Sequence, residues 1–189
     1  WDSLVANGPA WHDRFPGLAF AGDPDAFPPK EAVADYFVAY AQKIAAPIRC
    51  GVEVTAVHRL EGRPGFRVET SAGEIHARYV VAATGPFQKP VFPPIVPEGA
   101  GLTQIHSADY RNPGQLPAGA VLVVGTGQSG AQIAEDLHLA GRHVHLAVGN
   151  APRVARFYRG RDCMTWLSDM CLYDRAAAQY PGGKAAIEK

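Results

Sequence analysis

The sequence predicts an α/β fold, and three observations predict it. Residues 121–130, VLVVGTGQSG, run four apolar side chains straight into glycines at Gly125, Gly127 and Gly130. The next stretch carries Ile133, Leu137 and Ala140 at helical spacing, reaches Gly141, and passes into the strand-like run 143–148. Upstream, residues 48–83 read as short strands separated by glycine turns. A continuous apolar run is what a buried parallel strand requires. Strand, turn, helix, stop and strand in that order make a β-α-β unit.

The glycines have separate physical jobs. Gly125 lets the chain turn sharply at the strand end, Gly127 lets backbone N–H groups come close to a pyrophosphate, and Gly130 lets the helix pack against the sheet. The helix N-terminus aims its unsatisfied donors at the phosphates. With Gln128 and Ser129 between them, these residues form a candidate dinucleotide site; the alternative is a set of glycines that serves only a tight turn. Gly141 stands where a left-handed residue ends a helix.

The other elements follow in chain order. Residues 1–30 hold Pro9, Pro16, Pro24, Pro28 and Pro29, which excludes long regular elements, yet Trp1, Trp11, Phe15, Phe20 and Phe27 are too apolar for a disordered tail. An ordered loop laid over a core or a cofactor fits both facts. Residues 31–46 read as an amphipathic helix with Val33, Tyr36, Phe37, Tyr40 and Ile44 along one stripe, a pattern assigned to packing. A β-meander follows, with strands over 48–57 and 66–70 and a third through Ile75, feeding a buried strand at 79–83 that stops at Thr84 and Gly85. The proline-rich stretch 86–97 and the segment 113–119 are too stiff for helix or strand and read as linkers. Beyond the β-α-β unit the chain turns basic at Arg153, Arg156, Arg159 and Arg161.

Composition removes several function classes. Lys+Arg and Asp+Glu both number 18, so a formal net charge of zero gives no reason to expect nucleic acid. No apolar run approaches the roughly 18 residues that span a bilayer, and nothing at the start reads as a signal peptide. Cys50, Cys163 and Cys171 form no CxxC pair and no zinc-like cluster, so no metal site is expected and a reducing cytoplasm is the simplest setting. His143 and His145 alternate on one strand face without a third ligand nearby, which reads as a partly exposed strand. A chain that opens at Trp1 in a loop-like stretch is expected to be a piece of something longer.

Taken together, Asn7-Gly8-Pro9, the FPG of 15–17, the AATG of 82–85, the HSADYR of 106–111 and GTGQSG, in that order, resemble the flavin-containing monooxygenases. The resemblance covers nearly the whole chain. It implies two dinucleotide-binding, Rossmann-like domains, each incomplete here: 1–97 as part of an FAD-binding domain without its first glycine turn, 98–119 as linker, and 120–189 as part of an NADP-binding domain. The single glycine turn matches the second, NADPH-binding one of that family.

Residue by residue, the resemblance implies that Asn7 lies beside the reactive edge of the flavin, that the backbone at Val54 approaches the FAD adenine, and that Thr84 and Gly85 form a turn against the FAD. An amide suits the first role because it donates and accepts hydrogen bonds without titrating; the competing role for Asn7 is the cap of the Gly8-Pro9 turn. Thr84 and Gly85 also serve as a plain exit from a strand. His106 begins the surviving half of the family signature, whose earlier positions are Ala100 and Leu102 here, and a hinge role is favoured for it. No acidic residue follows 145–148 to select a ribose hydroxyl, so the extra phosphate of NADPH is assigned to Arg153 first and Arg156 second, against a solvated basic loop.

The implied activity is oxygenation of a small organic substrate by NADPH and molecular oxygen through an oxygenated FAD, in a protein that could form homo-oligomers, with this stretch alone inactive. Two other readings stay open: an NADPH-dependent flavin oxidoreductase without oxygenase activity, and a non-catalytic nucleotide-binding module.

Overall fold

The computed structural model describes the chain except residues 86, 98, 151–153 and 184–189. It is a mixed α/β structure with small sheets, divided into two compact units: the described residues of Trp1–Tyr36 with Asp109–Lys189, and Phe37–Ala108.

The first unit is organised by a parallel strand pair, β4 (Val121–Val124) and β5 (Val144–Ala147), with Val121 opposite Val144 and Val124 opposite Ala147. Between them runs helix α2 (Gln128–Leu139), which buries Ile133 and Leu137. The apolar run of β4 predicts burial on both sides, and the structure corrects this. Its alternation places Val121 and Val123 half-buried, while Leu122 and Val124 are 60% and 52% exposed on the opposite face. One helix covers one face of a two-stranded sheet.

The end of α2 obeys its sequence signal. Gly141 takes φ +76, its N–H donates to His138 O at 2.9 Å, and Arg142 N–H donates to Leu137 O at 3.0 Å. This pair of bonds is a Schellman stop. The Arg142 guanidinium then donates to the carbonyls of Pro113 (3.3 Å), Leu116 (3.4 Å), Gly119 (3.0 Å) and Pro117. The stretch before β4, which includes a 3₁₀ turn at Pro113–Gln115, is thereby tied to the helix end.

The N-terminal loop is held by its own ends. Ala6 N–H donates to Pro28 O (2.8 Å), Lys30 N–H to Leu4 O (3.1 Å), and Val5 bridges Pro29. The loop closes on the start of helix α1 (Lys30–Lys43). Of the predicted aromatic stripe, Tyr36 is the buried member: its ring stacks on Phe20 at 4.1 Å, and its hydroxyl accepts from Phe15 N–H (2.6 Å) and donates to Leu18 O (2.9 Å). Phe37 and Ile44 are more than half exposed, so the stripe is not one continuous core face.

Past β5 the sequence reading offers only a basic stretch, and the structure adds a hairpin and a helix. Strands β6 (Phe157–Tyr158) and β7 (Arg161–Asp162) pair across Arg159 and Gly160, both at positive φ, as a tight hairpin turn requires. Asp162 then accepts from Met164 N–H at 2.8 Å and caps α3 (Cys163–Asp169).

The second unit holds the predicted meander, β1 (Val54–Arg59), β2 (Phe66–Thr70) and β3 (Gly73–Ala77), antiparallel in that order around Val68. The first strand begins at Val54, not at 48, with a register irregularity between Val54 and Ala56. Residues 79–83 are also not a strand: Tyr79 is 79% and Val81 86% exposed. A strand exists only where neighbours pair with it, and no described segment pairs with this one.

Candidate functional site

The glycine turn has the geometry its spacing implies. Gly125 sits at φ +99, a conformation that strains any side chain. A Cβ added at Gly130 would lie 2.2 Å from the Gly125 carbonyl oxygen, so the helix reaches the turn only because that position is bare. At Gly127 an added Cβ meets nothing within 4 Å. Gly127 is also the N-cap of α2, and no side chain caps it. These residues fit a dinucleotide phosphate: a tight turn, a close approach of helix to strand, an open surface at the middle glycine, and an uncapped first turn with its donors outward.

Asn7 comes to the same place from the other end of the chain. Its Nδ2 donates to Gln128 Oε1 at 2.5 Å, and its Oδ1 accepts from Gln132 Nε2 at 2.7 Å. The amide therefore spends these bonds on α2 and not on the local turn. That turn closes by itself: Gly8 N–H donates to Asp13 Oδ2 at 2.8 Å, and an added Cβ at Gly8 would collide with the same carboxylate. Gln132 was not singled out from the sequence. Its signal is the four-residue spacing from Gln128, which puts both amides on one helix face.

A second polar cluster holds the same helix. Asp136 accepts from Tyr110 Oη (2.6 Å) and from Ser3 Oγ (2.8 Å). Tyr110 is 2% exposed, and burial, together with the bond to Asp136, pushes its hydroxyl well above the ordinary phenol range. It stays a neutral donor.

The remaining sequence-selected residues are dispersed. Arg153 lies outside the described residues. Arg156 is engaged within the fold: its Nε donates to Asp162 at 2.5 Å and its guanidinium lies 4.7 Å from the Phe27 ring. Val54 opens β1 and is 57% exposed opposite Thr70. Thr84 O accepts from Gln88 Nε2, and Gly85 takes φ +73. These three lie in the second unit. His106 Nδ1 accepts from Ala108 N–H at 3.1 Å, a local turn contact. His143 and His145 stack edge to face at 4.6 Å, and among the described residues no group of three His, Cys, Asp or Glu could hold a metal. An open cleft of about 470 Å³, lined in part by Trp11, Arg14, Phe15 and Tyr173, is separate from the Asn7 contacts. Among the described residues no helix is long and apolar enough to cross a membrane.

A parallel strand pair, a left-handed glycine and an uncapped helix are the parts from which a dinucleotide-binding turn is built. Comparison with known proteins agrees. Residues 16–171 match the family Pyridine nucleotide-disulphide oxidoreductase. An uncharacterized CzcO-like oxidoreductase of Geobacillus kaustophilus is 45% identical over 151 residues, covering 79% of this chain and 42% of its own. The indole-3-pyruvate monooxygenase YUCCA1 of Oryza sativa is 30% identical over 157 residues, covering 82% and 38%. The solved flavin-containing monooxygenase of Stenotrophomonas maltophilia matches with a TM-score of 0.74 at 26% identity, covering 89% of this chain and 50% of that one. The chain belongs to the pyridine nucleotide-disulphide oxidoreductases, in their flavin-containing monooxygenase family, whose cofactors are FAD and NADP(H). It spans less than half the length of the curated relatives it matches.

Proposed function

We propose that this chain is the central part of a flavin-dependent monooxygenase that uses NADPH and molecular oxygen to oxygenate a small organic substrate. The observation that carries the reading is the seating of Asn7, an amide that cannot titrate, on the first turns of the glycine-led helix. Bound FAD supplies the redox chemistry, accepting a hydride and activating oxygen. The chain's own residues bind and orient. Gly125, Gly127, Gln128, Ser129 and Gly130 hold the NADPH pyrophosphate, and Arg153 takes the extra phosphate, since Arg156 is committed to Asp162. Val54, Thr84 and Gly85 lie against FAD from the second unit, the two units contributing to two Rossmann-like domains of the whole protein. Asn7 orients the nicotinamide cofactor by hydrogen bonds.

The test uses the full-length protein. NADPH oxidation should consume oxygen and yield an oxygenated product from a panel of small amines, sulfides and ketones. If NADPH is oxidised while all of the oxygen consumed is recovered as hydrogen peroxide across that panel, the oxygenase reading fails.

A further inference from the structure

We propose that Gln132 is a positioning residue that decides which way round the amides of Asn7 and Gln128 are held, and so sets the polarity that the glycine turn presents to a nucleotide. The proposal rests on the nicotinamide-nucleotide reading of that turn.

The two ends of a side-chain amide have nearly the same shape, so only the pattern of donors and acceptors distinguishes them. Here the pattern has a fixed origin. Val5 O is a main-chain carbonyl, can only accept, and belongs to a residue pinned by its bridge to Pro29. Gln132 Nε2 donates to it at 3.5 Å and to Asn7 Oδ1 at 2.7 Å. With its oxygen facing Gln132, Asn7 turns its Nδ2 toward Gln128 and donates to Oε1 at 2.5 Å. Gln128 has its oxygen engaged inward, and its Nε2 is the end left for an outside acceptor. A carbonyl on the N-terminal loop thus sets, through three amides, a donor at the mouth of the phosphate turn, where an anionic ligand needs one. Asn7 keeps one N–H and one lone pair for a ligand of its own.

Gln132→Glu separates this role from mere packing. The carboxylate has nearly the same size but can only accept, so Asn7 must rotate to donate to it. Gln128 must then donate inward and turn its oxygen toward the phosphates. In the full-length protein NADP⁺ affinity should fall about tenfold at about pH 8, the worth of one charge-facing hydrogen bond. Protonation restores a donor at the carboxyl, so the gap to wild type should close as the pH is lowered toward the ordinary glutamate value of about 4.3. Gln132→Met should weaken binding with a gap that does not change with pH. A Gln132→Glu protein that binds like wild type at about pH 8, or whose deficit is flat in pH, overturns the proposal. The Asn7 side-chain ¹⁵N–H₂ resonances give a second readout without nucleotide. If wild type binds no NADP⁺, the nucleotide reading falls and the relay is judged there: Gln132→Glu should shift both Asn7 protons, and unchanged resonances overturn it.

Discussion

At the scale of single residues, Tyr110 has the clearest energetic consequence. It donates to Asp136 from a site 2% exposed, so Tyr110→Phe should cost about 1.5–3 kcal/mol, the range for a hydrogen bond to a charged group. The pH dependence has a definite sign. Burial, and then the Asp136 bond, raise the phenol above its ordinary 10.0, so the folded protein keeps this proton to higher pH than the unfolded chain. The stabilisation is therefore complete below pH 10.0 and is lost as the pH climbs through the raised value. Thermal melts of wild type and Tyr110→Phe should differ by a constant amount from neutral to about pH 9 and converge above about pH 10.

The three glycines predict a matched pair of substitutions. Gly130→Ala drives a methyl into the Gly125 carbonyl and should destabilise by about 1–3 kcal/mol. Gly127→Ala meets open space at φ −65, a conformation alanine accepts, and should leave the melting temperature unchanged. Its methyl stands where the pyrophosphate has to come close, so NADP⁺ affinity should drop about tenfold or more by titration. At this scale the sequence speaks clearly for the glycines, whose spacing is a geometric requirement; for Gln132 it offers just the four-residue spacing from Gln128, and for Asp136 nothing. Their partners, Asn7, Ser3 and Tyr110, lie on segments 26 to 133 positions away. Contact at that separation leaves no periodic trace.

Among the elements, the ones defined by local rules were legible. Strands β2 and β4 fall on the residues predicted, and α2 lies between β4 and the stop at Gly141, as expected. The meander over 48–77 was read correctly in order, although β1 starts later than expected. The segment 79–83 departs from the strand its sequence predicts, because an apolar run reports the capacity to pair and not the presence of a partner. The β6–β7 hairpin is masked in the sequence by its arginines, which read as a basic stretch, while the informative pair is Arg159-Gly160 at its turn.

The junction of α2 with the preceding linker carries its own prediction. One guanidinium gathers four carbonyls there, a fan of donors that a lysine ammonium cannot reproduce. Arg142→Lys should lower stability by about 0.5–1.5 kcal/mol, since an ammonium cannot serve four carbonyls at once and two of them, at Pro113 and Leu116, belong to half-buried residues. Limited proteolysis should then cut within 113–119 at protease levels that leave wild type intact.

For the whole molecule, the informative fact is length. The chain covers 79% of itself on the Geobacillus kaustophilus relative but only 42% of that protein, and it contains one glycine turn. A flavin and a nicotinamide nucleotide each need a phosphate cradle, so the 189 residues purified alone should carry no flavin absorption, whereas the full-length protein should be yellow. A yellow preparation of the short chain would show that it holds FAD without a second such cradle.

The bare side of the β4–β5 pair has a practical consequence. Parallel sheets in folded proteins keep both faces dry, yet here Leu122 and Val124 meet water, and each strand offers an outer edge free of hydrogen-bonded neighbours among the described residues. Handled alone in concentrated solution, the segment is primed to stick to copies of itself, edge to edge and oily face to oily face. Solubility is what a preparation of these residues alone puts at risk.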